Sequence, residues 1–222
     1  MSRRPLRFLF PILVVIPTVA LSLGGWAVIT VDNLPEYVVA GRAVPFSFAV
    51  RQHGVKLLSA LQPTIVARLG DYQTTFSAQP SKIEGHYTAA ITLPQAGPWT
   101  ITVHSGFMNS ARTLLPLAAI APNAPPPQVL ADAERGRHLF VAKGCVTCHV
   151  NAKVNTTSDV PVGPDLTERR YGADYLARLL ANPAAVLPAK PNAGTMPNLG
   201  LNEREIASLV AFINADGQLS RK

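Results

Sequence analysis

Cys145-Val146-Thr147-Cys148-His149 has the form C-x-x-C-H, the sequence at which a c-type haem is attached. Each thiol adds to one haem vinyl group, giving two thioether bonds, and the adjacent imidazole meets the iron on its proximal side. After His149 the chain has no further histidine or cysteine and one methionine, Met196. A single haem c held through Cys145 and Cys148, with His149 and Met196 as iron ligands, therefore uses every strong ligand of this segment. Two other uses of a C-x-x-C pair fit less well. Zinc wants four ligands, commonly from two such pairs, and only His149 and His138 stand near enough in sequence to join the cysteines. A thioredoxin-like dithiol belongs at a strand-to-helix turn of a βαβ pattern, which these flanks lack. The plain alternative for Met196 is a core methionine. His138 reads as a helix-surface histidine, because as a ligand it would have to displace Met196.

Working outward, Asp132 to Lys143 reads as a short helix, with Ala133, Gly136, Leu139 and Phe140 on one stripe. Tyr175, Leu176, Leu179 and Leu180 mark a middle helix that ends near Asn182-Pro183. Asn202 sits where an N-cap belongs, and Glu205 three residues later completes a capping box. Ile206, Leu209, Val210 and Ile213 then follow helical spacing, with Gly217 as a stop. Three short helices around one porphyrin suit a small all-α domain over residues 129–222.

This layout resembles the class I (mitochondrial-type) cytochromes c over roughly Val129 to Lys222. The matching stretches are Glu134-Arg-Gly-Arg-His-Leu-Phe140, the C-x-x-C-H, Gly163-Pro-Asp-Leu166 and Thr195-Met-Pro197. The resemblance implies a first helix crossing the last at Gly136, with Phe212 packed at the crossing. It also implies that the carbonyl of Pro164 accepts the other ring N–H of His149, a bond that fixes the tautomer and raises ligand basicity. Domains of this kind carry electrons and do not turn over a small-molecule substrate. Thioether sulfur favours ferrous iron, so a His/Met pair implies a raised potential, and with both axial positions filled no site stays open for oxygen chemistry. An electron carrier serving redox protein partners, rather than an enzyme, is the expectation.

Phe8 to Val31 carries no charge over 24 residues, and a helix of that length is about 36 Å long, enough to span a bilayer. Arg3, Arg4 and Arg7 precede it, so the positive-inside rule places the N-terminus in the cytoplasm and the remainder outside. Residues 1–31 thus read as a single-pass anchor of a bacterial inner membrane, with periplasmic domains. A cleaved signal peptide competes, with Thr18-Val19-Ala20 as its best cleavage candidate.

Residues 32–120 read as a β-sandwich of immunoglobulin type. Val44, Phe46, Phe48 and Val50 alternate with other residues, as do Tyr87, Ala89, Ile91 and Leu93, and then Trp99, Ile101 and Val103. Thr64 to Leu69 and Arg112 to Leu117 read as further strands, about seven in all. Gly85 to Ile101 is similar to one hairpin of small periplasmic sandwich domains of the FixH/YtkA-like group. His53, His86, His104 and Met108 raise the question of copper, but no two histidines pair on one strand and copper is not expected. The absence of cysteine here also argues against a dinuclear copper centre.

Residues 121–128, Ala-Pro-Asn-Ala-Pro-Pro-Pro-Gln, form a proline-rich linker. As a polyproline II rod it would hold the two domains about 25 Å apart. The formal charge of +7 is spread along the chain, which gives nucleic-acid binding no support. Lys143, Lys153 and Lys190 either ring an exposed haem edge to steer an acidic partner or are ordinary solvated lysines. The chain therefore reads as a membrane helix, an all-β sandwich and an all-α cytochrome domain, relaying single electrons within or beside a respiratory or photosynthetic complex. The rival reading is an accessory protein whose sandwich binds copper or a partner and whose haem senses redox state.

Overall fold

The computed structural model describes residues 25–187 and 196–215. The expected membrane segment as far as Gly24, Lys190 and the expected helix stop at Gly217 lie outside these residues. Among the described residues no helix is long and apolar enough to cross a membrane.

The sheet-rich part starts earlier than expected. Ala27–Val31 is not the end of a membrane run but strand β1, and Trp26 already packs against His53, the rings tilted at 53° with centroids 5.5 Å apart. The misreading has a physical cause, since a strand buried on both faces presents a continuous apolar run with no period-two signal. Ala27, Ile29 and Val31 enter the sandwich core. The alternate face meets the helical domain, where Val28 abuts Gly144 and the Thr30 hydroxyl donates to the carbonyl of Lys143 (3.4 Å).

Ten further strands follow: β2 (Tyr37–Val39), β3 (Ala43–Gln52), β4 (Lys56–Leu57), β5 (Thr64–Leu69), β6 (Tyr72–Ser77), β7 (Gln79–Pro80), β8 (His86–Thr92), β9 (Gly97–His104), β10 (Ala111–Thr113) and β11 (Leu117–Ile120). One sheet has the order β1-β3-β8-β7, with β4 also on β3; the other runs β2-β11-β9-β5-β6, with β10 also on β9. Among the described residues only β11 and β2 pair in parallel. The alternating residues Phe46, Phe48, Val50, Tyr87, Ile91, Ile65, Trp99, Ile101 and Val103 fill the space between the sheets. Trp99 and Tyr87 are fully buried and keep their polar atoms satisfied, Trp99 Nε1 donating to Gln95 O (2.8 Å) and the Tyr87 hydroxyl to Leu58 O (2.8 Å), as buried polar groups must.

The single strand expected from Arg112 to Leu117 is two short ones, β10 and β11, both on β9. Pro116 lacks the N–H a continuous ladder needs, and the chain shifts along β9 between them.

The helical part comprises α1 (Asp132–Ala142), α2 (Ala173–Ala181), α3 (Pro183–Val186) and α4 (Glu203–Asn214). Asn202 and Glu205 form the expected capping box. Helices α1 and α4 cross at Gly136, where a Cβ would stand 1.9 Å from the Ser208 carbonyl oxygen. Phe140 and Phe212 pack at the same crossing, 5.4 Å between rings.

The expected 25 Å separation of the two parts is overturned. Ala142 joins the sandwich core, while Leu34 and Leu115 of the sandwich pack on the helical core. Arg135 of α1 pairs with Glu36 (2.7 Å), which also meets Arg204 of α4 (3.1 Å). A linker's contour length limits the largest distance between domains, not the smallest; complementary surfaces decide the latter. Lys143 is likewise corrected. Only 2% exposed, it pairs with Glu205 (2.7 Å) and donates to Asp32 O (2.7 Å), so it rings no exposed edge.

Candidate haem-attachment site

Helix α1 delivers the chain to the site and must stop there abruptly. Gly144 provides the stop, with φ +80, a left-handed conformation that glycine adopts without steric penalty. It also lets the chain pass against Val28 and the Ile29 carbonyl. A single 3-10 turn, Cys145–Thr147, follows. The amides of Cys148 and His149 both donate to the carbonyl of Cys145 (3.1 and 2.9 Å), which brings the two thiols and the imidazole onto one compact turn.

The segment after His149 folds back to hold it. The amide of Gly163 donates to Cys148 O (3.0 Å) and that of Val160 to Thr147 O (2.8 Å). Asn155 Nδ2 donates to His149 O (3.0 Å). These bonds place the Pro164 carbonyl 2.9 Å from His149 Nδ1. A carbonyl only accepts, so Nδ1 carries the proton and Nε2 keeps its lone pair for a metal. Gly163 passes so close to the ring that a Cβ would stand 2.4 Å from Cε1 and 2.5 Å from Nδ1. Burial lowers the pKa of His149, and the bond to Pro164 opposes this only in part; the imidazole is held neutral, the form that ligates iron.

Burial pushes the Cys145 thiol up to about 12 and raises that of Cys148 as well. Both cysteines are free and partly accessible. Met196 and Cys145 pack on one apolar cluster with Val154, Tyr171 and Leu201, against the buried Leu166, Leu176 and Leu180. Two unpaired thiols, a neutral imidazole with a free Nε2, a thioether and an apolar wall are the donor set and surroundings that a covalently held haem requires, and the residues fit the group.

His138 lies at the domain junction, 3.4 Å from Glu134, and lines a cleft with Glu36, Arg135 and Arg204; it is not on the open helix surface. The Nζ of Lys153 donates to the carbonyl of Ala215 and sits 5.7 Å from the Phe212 ring centroid. Among the described residues no three His, Cys, Asp or Glu side chains converge as a metal site. His86 bonds to Glu84 O (2.9 Å), while His104 and Met108 line one exposed hollow.

Sequence reading missed Arg112. Its Nη2 donates to the Thr147 hydroxyl (2.9 Å) and to Asp159 (2.5 Å), so a sandwich residue reaches into the C-x-x-C turn. No periodicity or motif marks it out, because the contact spans 35 residues of sequence. A second sandwich contact lies beside Met196, since a Cβ on Gly54 would stand 3.6 Å from the Pro197 ring.

No curated protein matches the chain. The family model for cytochrome c matches residues 133–215, a span that takes in α1 from its second residue, the attachment turn, the Pro164 carbonyl, Met196 and all of α4. Sequence motif, helix crossing and family model agree: residues 133–215 are a cytochrome c domain, built to carry haem c and pass electrons.

Proposed function

We propose that the chain is a membrane-anchored monohaem cytochrome that relays single electrons on the outer face of a bacterial energy-transducing membrane. It acts there as a tethered carrier for, or a subunit of, a respiratory or photosynthetic complex. The observation that carries this reading is the geometry of His149, whose proton is directed to Pro164 and whose Nε2 is left free beside two unpaired thiols.

Haem bound there supplies a one-electron couple. Cys145 and Cys148 would hold it covalently, His149 and Met196 would offer nitrogen and sulfur to the iron, and the apolar wall would exclude water. No side chain needs to move a proton for an electron to pass. With strand β1 beginning at Ala27 and Trp26 already held by the sandwich, Phe8 to Gly24 remains as an uncharged stretch of 17 residues. A helix of that length is about 26 Å long, at the lower end of what spans a bilayer, and Arg3, Arg4 and Arg7 orient it.

The test is purification of the full chain from membranes under mild detergent, with spectra of both oxidation states and identification of what accompanies it. The expected result is a c-type spectrum with a methionine–iron charge-transfer band. Met196→Ala loses the band and lowers the potential, and His149→Ala loses the six-coordinate form. Wild-type protein without the band, or released from membranes by carbonate, removes respectively the Met196 assignment and the anchor.

A further inference from the structure

We propose that Arg112, a residue of the sandwich, is a positioning residue of the electron-transfer site that raises its reduction potential through its charge. This rests on the haem reading above and extends it to a domain outside the cytochrome fold.

Arg112 lies on β10, paired to β9 opposite Val103, so its backbone is held by a sheet. Its guanidinium crosses to the helical domain and donates to Thr147 Oγ1 (2.9 Å). Thr147 is buried and sits between Cys145 and Cys148, directly before the second attachment point. The charge thus lies one side chain away from the turn that carries both cysteines and leads into His149.

The salt bridge to Asp159 does not cancel that charge. The Arg112 side chain is 14% exposed and that of Asp159 is 62% exposed. Water screens the carboxylate far more than the guanidinium, so a net positive field remains on the side that faces Thr147. Nε of Arg112 is buried with no hydrogen-bond partner among the described residues. Losing an electron makes the iron centre more positive, and a cation held beside it in a poorly solvated position opposes that change. With haem bound, the one-electron couple would take its electron from a redox partner, and no bond would form or break and no proton move.

A purely mechanical clamp predicts something different. Arg112→Gln and Asp159→Asn both break the same ion pair, so a clamp makes both variants shift in the same direction or not at all. A charge effect makes them shift in opposite directions. The experiment is an equilibrium redox titration of full-length holoprotein for wild type, Arg112→Gln, Arg112→Lys and Asp159→Asn, each with its spectrum.

Arg112→Gln is expected to shift the reduction equilibrium against a fixed mediator roughly fivefold to tenfold toward the oxidised form. Asp159→Asn shifts it by a smaller factor toward the reduced form, and Arg112→Lys stays within about twofold of wild type. Same-sign shifts, unmoved equilibria or a Lys variant that follows Gln overturn the proposal while the c-type spectrum leaves the haem reading standing. Wild-type protein without a c-type spectrum sinks the haem reading, and this inference with it. Should Arg112→Gln fail to accumulate, Asp159→Asn at its exposed position carries the sign test by itself, and a shift toward the oxidised form, or none, is decisive against.

Discussion

Gly163 has one hydrogen where any other residue would place a carbon 2.4 Å from the His149 ring and 2.9 Å from the Cys148 carbonyl oxygen. Neither neighbour yields easily, since the ring is held by Pro164 and the carbonyl already accepts the Gly163 amide. Gly163→Ala is therefore expected to push the imidazole off the Pro164 carbonyl. Holoprotein stability should fall by about 1–3 kcal/mol through overpacking, together with a change in axial-ligand spectrum. Urea unfolding followed at the haem absorbance measures both, and an unchanged midpoint would show that the ring does not rest against residue 163. Single residues also divide into those readable from sequence and those not. The C-x-x-C-H and the Gly-Pro that follows are local signals of fixed spacing. Lys143 carries no such signal: a lysine is most often solvated, and only its neighbours Glu205 and Asp32, distant in sequence, make this one buried.

At the scale of elements, the crossing of α1 and α4 depends on the absence of a side chain at Gly136. A methyl there would meet the Ser208 carbonyl at 1.9 Å and the Phe212 Cβ at 2.7 Å, so the helices would have to separate and unstack Phe140 from Phe212. Gly136→Ala is expected to cost about 3 kcal/mol or more, at the upper end of overpacking effects. Gly172→Ala, at the start of α2 with nothing within 4 Å, should stay within about 0.5 kcal/mol. Thermal unfolding of both variants checks the contrast, and a mild effect at 136 would mean that the crossing has slack. Helices α1, α2 and α4 were legible because their apolar stripes and the Asn202–Glu205 cap are local. Strand β1 was not, since burial on both faces erased its alternation. The break between β10 and β11 is set by the partner strand β9 as much as by Pro116.

For the molecule as a whole, Glu36 is the junction between domains. Burial raises its pKa, but hydrogen bonds from Arg135 and the Leu130 amide, with the charges of Arg135 and Arg204, outweigh this and hold it below the ordinary glutamate range. A carboxylate whose folded pKa is depressed contributes stability that is fully present above its unfolded value and is lost as pH falls through the folded one. Domain docking should therefore be insensitive to pH near neutrality, with this contribution fully present, and weaken only in acid. Because the side chain is partly solvated, the contribution is about 1 kcal/mol. Glu36→Gln is expected to weaken docking at pH 7 by that amount and to flatten the acid limb. Limited proteolysis of the 121–131 segment against pH reports it, and an acid limb as steep as wild type would place the titrating group elsewhere.

The amino-acid sequence by itself marked the C-x-x-C-H attachment turn and the local helices, because each depends on residues within a few positions of one another. It also determined that apolar alternation would build sheets before the helical domain. Only the tertiary structure decided where the sandwich starts, that it presses directly on the cytochrome domain and that Arg112 reaches Thr147. Those outcomes depend on surfaces matching across long stretches of chain. Shape and charge complementarity between such surfaces leave no periodic trace in either segment alone.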